Sequence, residues 1–133
     1  MAKKSFEVKQ ESLSQFQNYI SEWCEENDIE MKISTKLLVC TDEIASNIIF
    51  YSGATELKII AEKKDDMVYI SFIDNGKPFN LLSDAKDPDI SASVKDRQIG
   101  GLGIFIVKKM MKVVEYNRTG DTNCLKIGIA YAI

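Results

Sequence analysis

Hydrophobic and polar positions change period repeatedly along this chain, and the changes divide it into elements. Phe6 and Val8 alternate with polar neighbours and predict a short first strand. From about Glu11 to Asn27, Leu13, Phe16, Tyr19, Ile20 and Trp23 recur at helical spacing, an amphipathic helix broken at Asn27-Asp28. A second helix is expected from about Ser34, a good N-cap residue, to about Phe50. Its apolar stripe is Leu37, Leu38, Thr41, Ile44, Ala45 and Ile48, and Gly53 ends it. Two strands follow, roughly Thr55–Ala61 and Met67–Asp74, joined by the charged turn Lys63-Lys64-Asp65-Asp66. From Asn75 to about Ile99 no hydrophobic period is sustained, and both prolines, Pro78 and Pro88, fall there. A polar stretch of that length inside a compact domain is usually functional, and residues 80–99 read as a lid.

A third helix opens at the glycines that follow and carries Leu102, Phe105, Ile106, Met110 and Met111. The end reads as a hairpin. Val113–Arg118 leads to a turn at Thr119-Gly120-Asp121-Thr122, and then Leu125, Ile127, Ile129, Tyr131 and Ile133 alternate strictly. The sum over residues 1–133 is one domain of α/β class. It is a two-layer sandwich, a mainly antiparallel mixed sheet with three helices on one face.

Composition removes several kinds of chemistry. The net charge is −3, with Lys and Arg scattered rather than gathered in a stripe, which argues against nucleic acid as a partner. No apolar run approaches the ~18 residues of a membrane span, and Lys3-Lys4 is not followed by the apolar core of a secretion signal. A cytoplasmic protein is expected. Cys24, Cys40 and Cys124 are odd in number and far apart, so free thiols are expected rather than a disulfide framework or a zinc site. The chain has no histidine, which leaves any acid–base work to a carboxylate or a lysine.

Three patterns then stand out, in order. Glu43 and Asn47 are four residues apart on the second helix, about 40° apart around its axis. Both lie on a flank of the apolar stripe, where they can edge a pocket. An amide oxygen is a hard neutral ligand suited to Mg²⁺, and a nearby carboxylate can deprotonate an attacking hydroxyl. Asp74 closes an apolar strand and is followed by Asn75-Gly76; the carboxylate can accept from an exocyclic amine, and the glycine admits a close backbone approach. Gly100-Gly101-Leu102-Gly103-Ile104 opens a helix whose free N–H groups and dipole suit phosphate. It is neither a Walker loop nor a dinucleotide fingerprint. Arg97, Lys95 and Lys86 precede it and could neutralise phosphates. Taken singly, each pattern has an ordinary explanation: a solvated helix flank, an Asp-Asn-Gly turn, glycines ending a loop. The ordered triple describes an ATP site.

In that order the motifs resemble the Bergerat ATP-binding fold of DNA gyrase, MutL and histidine kinase catalytic domains. Glu43 and Asn47 match its N box, Asp74 and Gly76 its first glycine box, and Gly101-Leu102-Gly103 its second. The small size and the strings Asp74-Asn75-Gly76-Lys77-Pro78-Phe79-Asn80 and Gly100 to Val107 look most like bacterial anti-sigma-factor serine kinases. The resemblance implies an ATP- and Mg²⁺-dependent serine/threonine protein kinase, usually a homodimer. Such a protein holds a sigma factor inactive or phosphorylates a serine on a STAS-domain antagonist. It further implies Glu43 as catalytic base, Asn47 as Mg²⁺ ligand and Asp74 as adenine reader, with Gly76, Arg97, Gly100 to Ile104 and Thr122 around the nucleotide. Thr122 enters because Asn123 stands near where the family's last strand often supplies a threonine; Tyr51 stands where a histidine is frequent. A non-catalytic ATP-gated binding module and a separated histidine kinase catalytic domain are the alternatives.

Overall fold

The computed structural model describes residues 1–78, 80 and 101–131. The strands are β1 (Ala2–Glu7), β2 (Glu56–Lys64), β3 (Met67–Asp74), β4 (Val113–Thr119) and β5 (Thr122–Ala130). They form one sheet in the order β1-β2-β3-β5-β4. Every pairing in it is antiparallel, so the mixed component expected from the sequence is not found among the described residues. The helices are α1 (Leu13–Glu26), α2 (Met31–Asn47) and α3 (Gly101–Met110), with a 3-10 turn at Gln10–Ser12 before α1.

Alternation decides which face of the sheet is covered. Leu57, Ile59 and Ala61 of β2, Val68, Ile70 and Phe72 of β3, and Leu125, Ile127 and Ile129 of β5 all point to the buried side. Against them pack Phe16 and Ile20 of α1, Leu37 and Ile44 of α2, and Ile104 and Val107 of α3, in one continuous core. Each such side chain contributes roughly 1.5–3 kcal/mol by leaving water. The opposite face carries exposed Lys58 and half-buried Tyr69, Ser71 and Lys126, as expected for an antiparallel sheet solvated on one side.

Several boundaries differ from those expected, each for a local reason. Asp28 adopts a left-handed φ of 55° after α1, and the Ile29 N–H reaches back to Cys24 O at 2.9 Å. That tight closure buries Ile29 and lets α2 begin at Met31. Ser34 therefore lies inside the first turn, its N–H donating to Glu30 O at 2.9 Å, and is not the cap. At its other end α2 gives way after Asn47 to a π-helical turn, Ile48–Ser52, closed by Gly53 at a φ of 73°. The β2–β3 hairpin is tighter than expected: Lys64 pairs with Met67 across Asp65-Asp66, with Asp65 at a φ of 56°. In α3 the apolar stripe is shifted. Ile104, Val107 and Met111 just beyond the helix are buried, whereas Phe105 is 38% exposed.

Candidate functional site

Asp74 is the last residue of the buried row of β3, where continued alternation turns a polar side chain towards the core. It is 5% exposed. Its Oδ1 accepts from the Gly76 N–H at 2.8 Å and from Asn123 Nδ2 at 3.1 Å. Its Oδ2 has no hydrogen bond among the described residues, and Asp74 lines a narrow cleft with Asn47, Ser52, Tyr116, Asn123 and Leu125. A buried carboxylate with one oxygen satisfied and the other unfilled is suited to receive a donor from a ligand.

The π-helical turn forms one lip of this cleft and is held to the loop after Asp74. The Lys77 N–H donates to Ser52 O at 2.9 Å. A Cβ placed on Gly76 would lie 2.6 Å from Ser52 O, so glycine is required there by the approach of two backbones within the protein. Asn75 fastens the same loop to β2, its Oδ1 accepting from the N–H groups of Thr55 (2.9 Å) and Glu56 (3.0 Å). Arg118 of β4 completes the clamp by donating from Nη1 to Gly76 O at 2.8 Å.

Asn47 closes α2 at 8% exposure. Its Nδ2 donates to Glu43 O at 2.7 Å, which turns Oδ1 away from the helix backbone. That oxygen has no partner among the described residues. One turn back, Glu43 lies against the start of α3: a Cβ on Gly103 would come within 3.1 Å of the Glu43 carboxyl carbon. Gly103 thus makes room for the carboxylate beside helix N–H groups that lack intrahelical partners. Burial, reinforced by the neighbouring Asp42 carboxylate, raises the Glu43 carboxyl above its ordinary value. Burial likewise pushes the Cys40 and Cys24 thiols up to about 11, so both are protonated and inert at neutral pH.

The structure therefore brings Glu43, Asn47, Asp74, Gly76, Gly101 and Gly103 to one side of the sheet. Leu102 belongs to the first turn of α3, and Ile104 is 5% exposed and packs in the core. Arg97, Gly100 and all of the expected lid, residues 80–99, except Asn80 lie outside the described residues. Thr122 is not among the residues that line the cleft. Neighbours on a strand face opposite sides, and the Thr122 hydroxyl donates to Thr119 O at 2.9 Å, away from the cleft. Asn123 takes the place beside Asp74, its partner in the β3–β5 register. The signal was present in the sequence. Counting back by twos from Ile129, Ile127 and Leu125 puts Asn123 on the core face.

The model of the histidine kinase-like ATPase domain matches residues 6–129. The chain belongs to that family. A histidine kinase-like ATPase domain is an ATP-binding module of kinase type, and the sheet and helices described above are its Bergerat fold. Among curated proteins there is no significant match. Among solved structures the domain is similar to histidine kinase AdeS of Acinetobacter baumannii, 14% identical with a TM-score of 0.58, covering 98% of this chain and 68% of that one. It is also similar to the catalytic domain of histidine kinase ThkA, 14% identical with a TM-score of 0.57, covering 98% and 97%. The EL346 blue-light activated histidine kinase of Erythrobacter litoralis is 12% identical with a TM-score of 0.57, covering 78% of this chain and 32% of that one. At these identities the likeness shows the fold. No helix among the described residues is long and apolar enough to cross a membrane.

Proposed function

We propose that this domain is a cytoplasmic, ATP- and Mg²⁺-dependent serine/threonine protein kinase of the anti-sigma-factor type. It phosphorylates a serine of a STAS-domain antagonist in a partner-switching circuit that also involves a sigma factor, and it works as a homodimer. The observation that carries the kinase chemistry is Glu43, a carboxylate with a raised proton affinity, one turn from Asn47 and against the start of α3. A domain that only bound nucleotide would have no chemical need for it.

Asp74 Oδ2 would accept from the adenine amine, and the N–H groups opening α3 would receive phosphate oxygens. The buried Oδ1 of Asn47, without a partner among the described residues, would be the protein ligand to Mg²⁺, which would supply charge neutralisation at the phosphates. The serine oxygen bonds to the γ-phosphorus, the bond from that phosphorus to the ADP oxygen breaks, and the hydroxyl proton passes to the Glu43 carboxylate. A carboxyl raised by burial is the stronger base for that proton. With no histidine in the chain, no imidazole competes for the role.

A second reading is a separated histidine kinase catalytic domain acting on a histidine of another chain. The match of the histidine kinase-like ATPase family over residues 6–129 favours it. Incubation with radiolabelled ATP and a STAS-domain protein separates the two. Acid-stable label on a serine is the expected result. Acid-labile label, found only when a histidine kinase dimerisation domain is supplied, would move the assignment to the second reading. No transfer to either acceptor would leave an ATP-gated binding module.

A further inference from the structure

Asn123 and Tyr116 belong to none of the three sequence motifs, yet both line the cleft beside Asp74. Asn123 is 4% exposed. Its Nδ2 donates to Asp74 Oδ1 at 3.1 Å and to Lys77 O at 2.8 Å. Both of those partners only accept, so the amide must present its nitrogen to them. Its Oδ1 consequently faces Tyr116, and the tyrosine hydroxyl must be the donor in the short hydrogen bond between them. The chain of bonds crosses three strands. Asn123 pairs with Asp74 on β3 and with Arg118 on β4, and Tyr116 sits two residues along β4 on the same face.

The consequence falls on Asp74. With the amide orientation forced by its acceptors, Oδ1 receives two donors and the carboxylate plane is held, leaving Oδ2 as the acceptor at the cleft. We infer that Tyr116 and Asn123 are positioning residues for purine selection, locking Asp74 so that the site takes 6-amino purine nucleotides and rejects 6-oxo ones. This rests on the reading of Asp74 as the adenine-binding residue and adds what sets its selectivity. An amine at the 6 position donates to the fixed oxygen; a carbonyl there meets an anionic acceptor that cannot turn away. Loss of Tyr116 would remove one tether of the amide and loosen its hold on the carboxylate, relaxing the choice between the two bases.

A network serving only to tie strands together would, when broken, weaken the fold and all nucleotides alike. The test is displacement of a fluorescent ATP analogue by ATP and by GTP, with Mg²⁺. It is run on the wild type, Tyr116→Phe, Asn123→Leu, Asp74→Asn and the Asp74→Asn/Tyr116→Phe double variant. Tyr116→Phe and Asn123→Leu should each weaken ATP about ten-fold while GTP stays within about two-fold, so the ATP-to-GTP ratio falls. Tyr116→Phe should add nothing once Asp74 is replaced, because it acts through that carboxylate. Equal losses for ATP and GTP, or wild-type ATP affinity in Tyr116→Phe, would overturn the inference and leave the Asp74 reading intact. Wild-type ATP affinity in Asp74→Asn would overturn that reading itself.

Discussion

Replacing Gly76 with alanine tests how the cleft is assembled, because the new methyl has nowhere to go. It would lie 2.6 Å from Ser52 O, 2.7 Å from Ser52 Cβ and 2.8 Å from Ser52 Oγ, against a relaxed separation of ~3.5–4.0 Å. Ser52 cannot yield cheaply. Its hydroxyl donates to Ile48 O at 2.7 Å and accepts from the Ala54 N–H at 3.0 Å, and its carbonyl accepts from the Lys77 N–H. Overpacking of this kind costs about 1–3 kcal/mol. If the loop retreats to relieve it, the Lys77–Ser52 bond is lost for about 1 kcal/mol more. The expected destabilisation is therefore about 2–4 kcal/mol. Gly53→Ala is the control: its φ is 73° but a Cβ there meets nothing within 4 Å, so only the left-handed penalty of about 1–2 kcal/mol applies. Urea unfolding without nucleotide should show a lower midpoint at unchanged slope, with Gly76→Ala the larger effect. A Gly76→Ala protein as stable as wild type, or one no worse than Gly53→Ala, would refute the packing described.

Phe72→Ala removes a fully buried ring at the centre of the sheet and should cost about 3–5 kcal/mol in the same assay; a loss below about 1 kcal/mol would contradict its place in the core. Asp74→Asn should weaken ATP by about 1.5–3 kcal/mol in a calorimetric titration, and unchanged affinity would remove the adenine-reading role. Glu43 has a folded-state proton affinity above that of the unfolded chain, so the native state binds more protons between the two values and loses stability as pH rises through that window. Glu43→Gln should therefore unfold at slightly higher urea than wild type at pH 7, with the difference gone below the ordinary carboxyl range; a less stable variant at pH 7 would reverse the sign.

Period and punctuation in the sequence were enough for the layers. Alternation in β3 and β5 and helical spacing in α1 survive folding because each reports a face turned to one core. The start of α2 was not legible, since Ser34 has the right chemistry for a cap but the chain is already turned by Asp28 and anchored by Ile29. The stripe of α3 was misphased because every residue from Leu102 to Val107 is apolar or glycine, and the rotation became clear only with Ile104 and Val107 placed in the core and Gly103 against Glu43. At the site, Glu43, Asn47 and Asp74 were visible as residue types at meaningful spacing. Asn123 could be placed on the core face by alternation along β5, but its pairing with Asp74 and the roles of Tyr116 and Arg118 could not, because they arise from cross-strand register rather than from proximity in the chain. Gly76 was marked for a close approach, but which atoms approach it became clear only when Ser52 was placed.

The most direct test of the kinase reading is Glu43→Gln, which keeps the shape of the side chain and removes its basicity. Single-turnover transfer from ATP to a STAS-domain serine would be followed together with the ATP dissociation constant. Transfer should fall by roughly 10²–10⁴-fold, the usual share of general-base catalysis, while ATP binds nearly as in the wild type. A Glu43→Gln protein that transfers phosphate at the wild-type rate would contradict the assignment of Glu43 as the base.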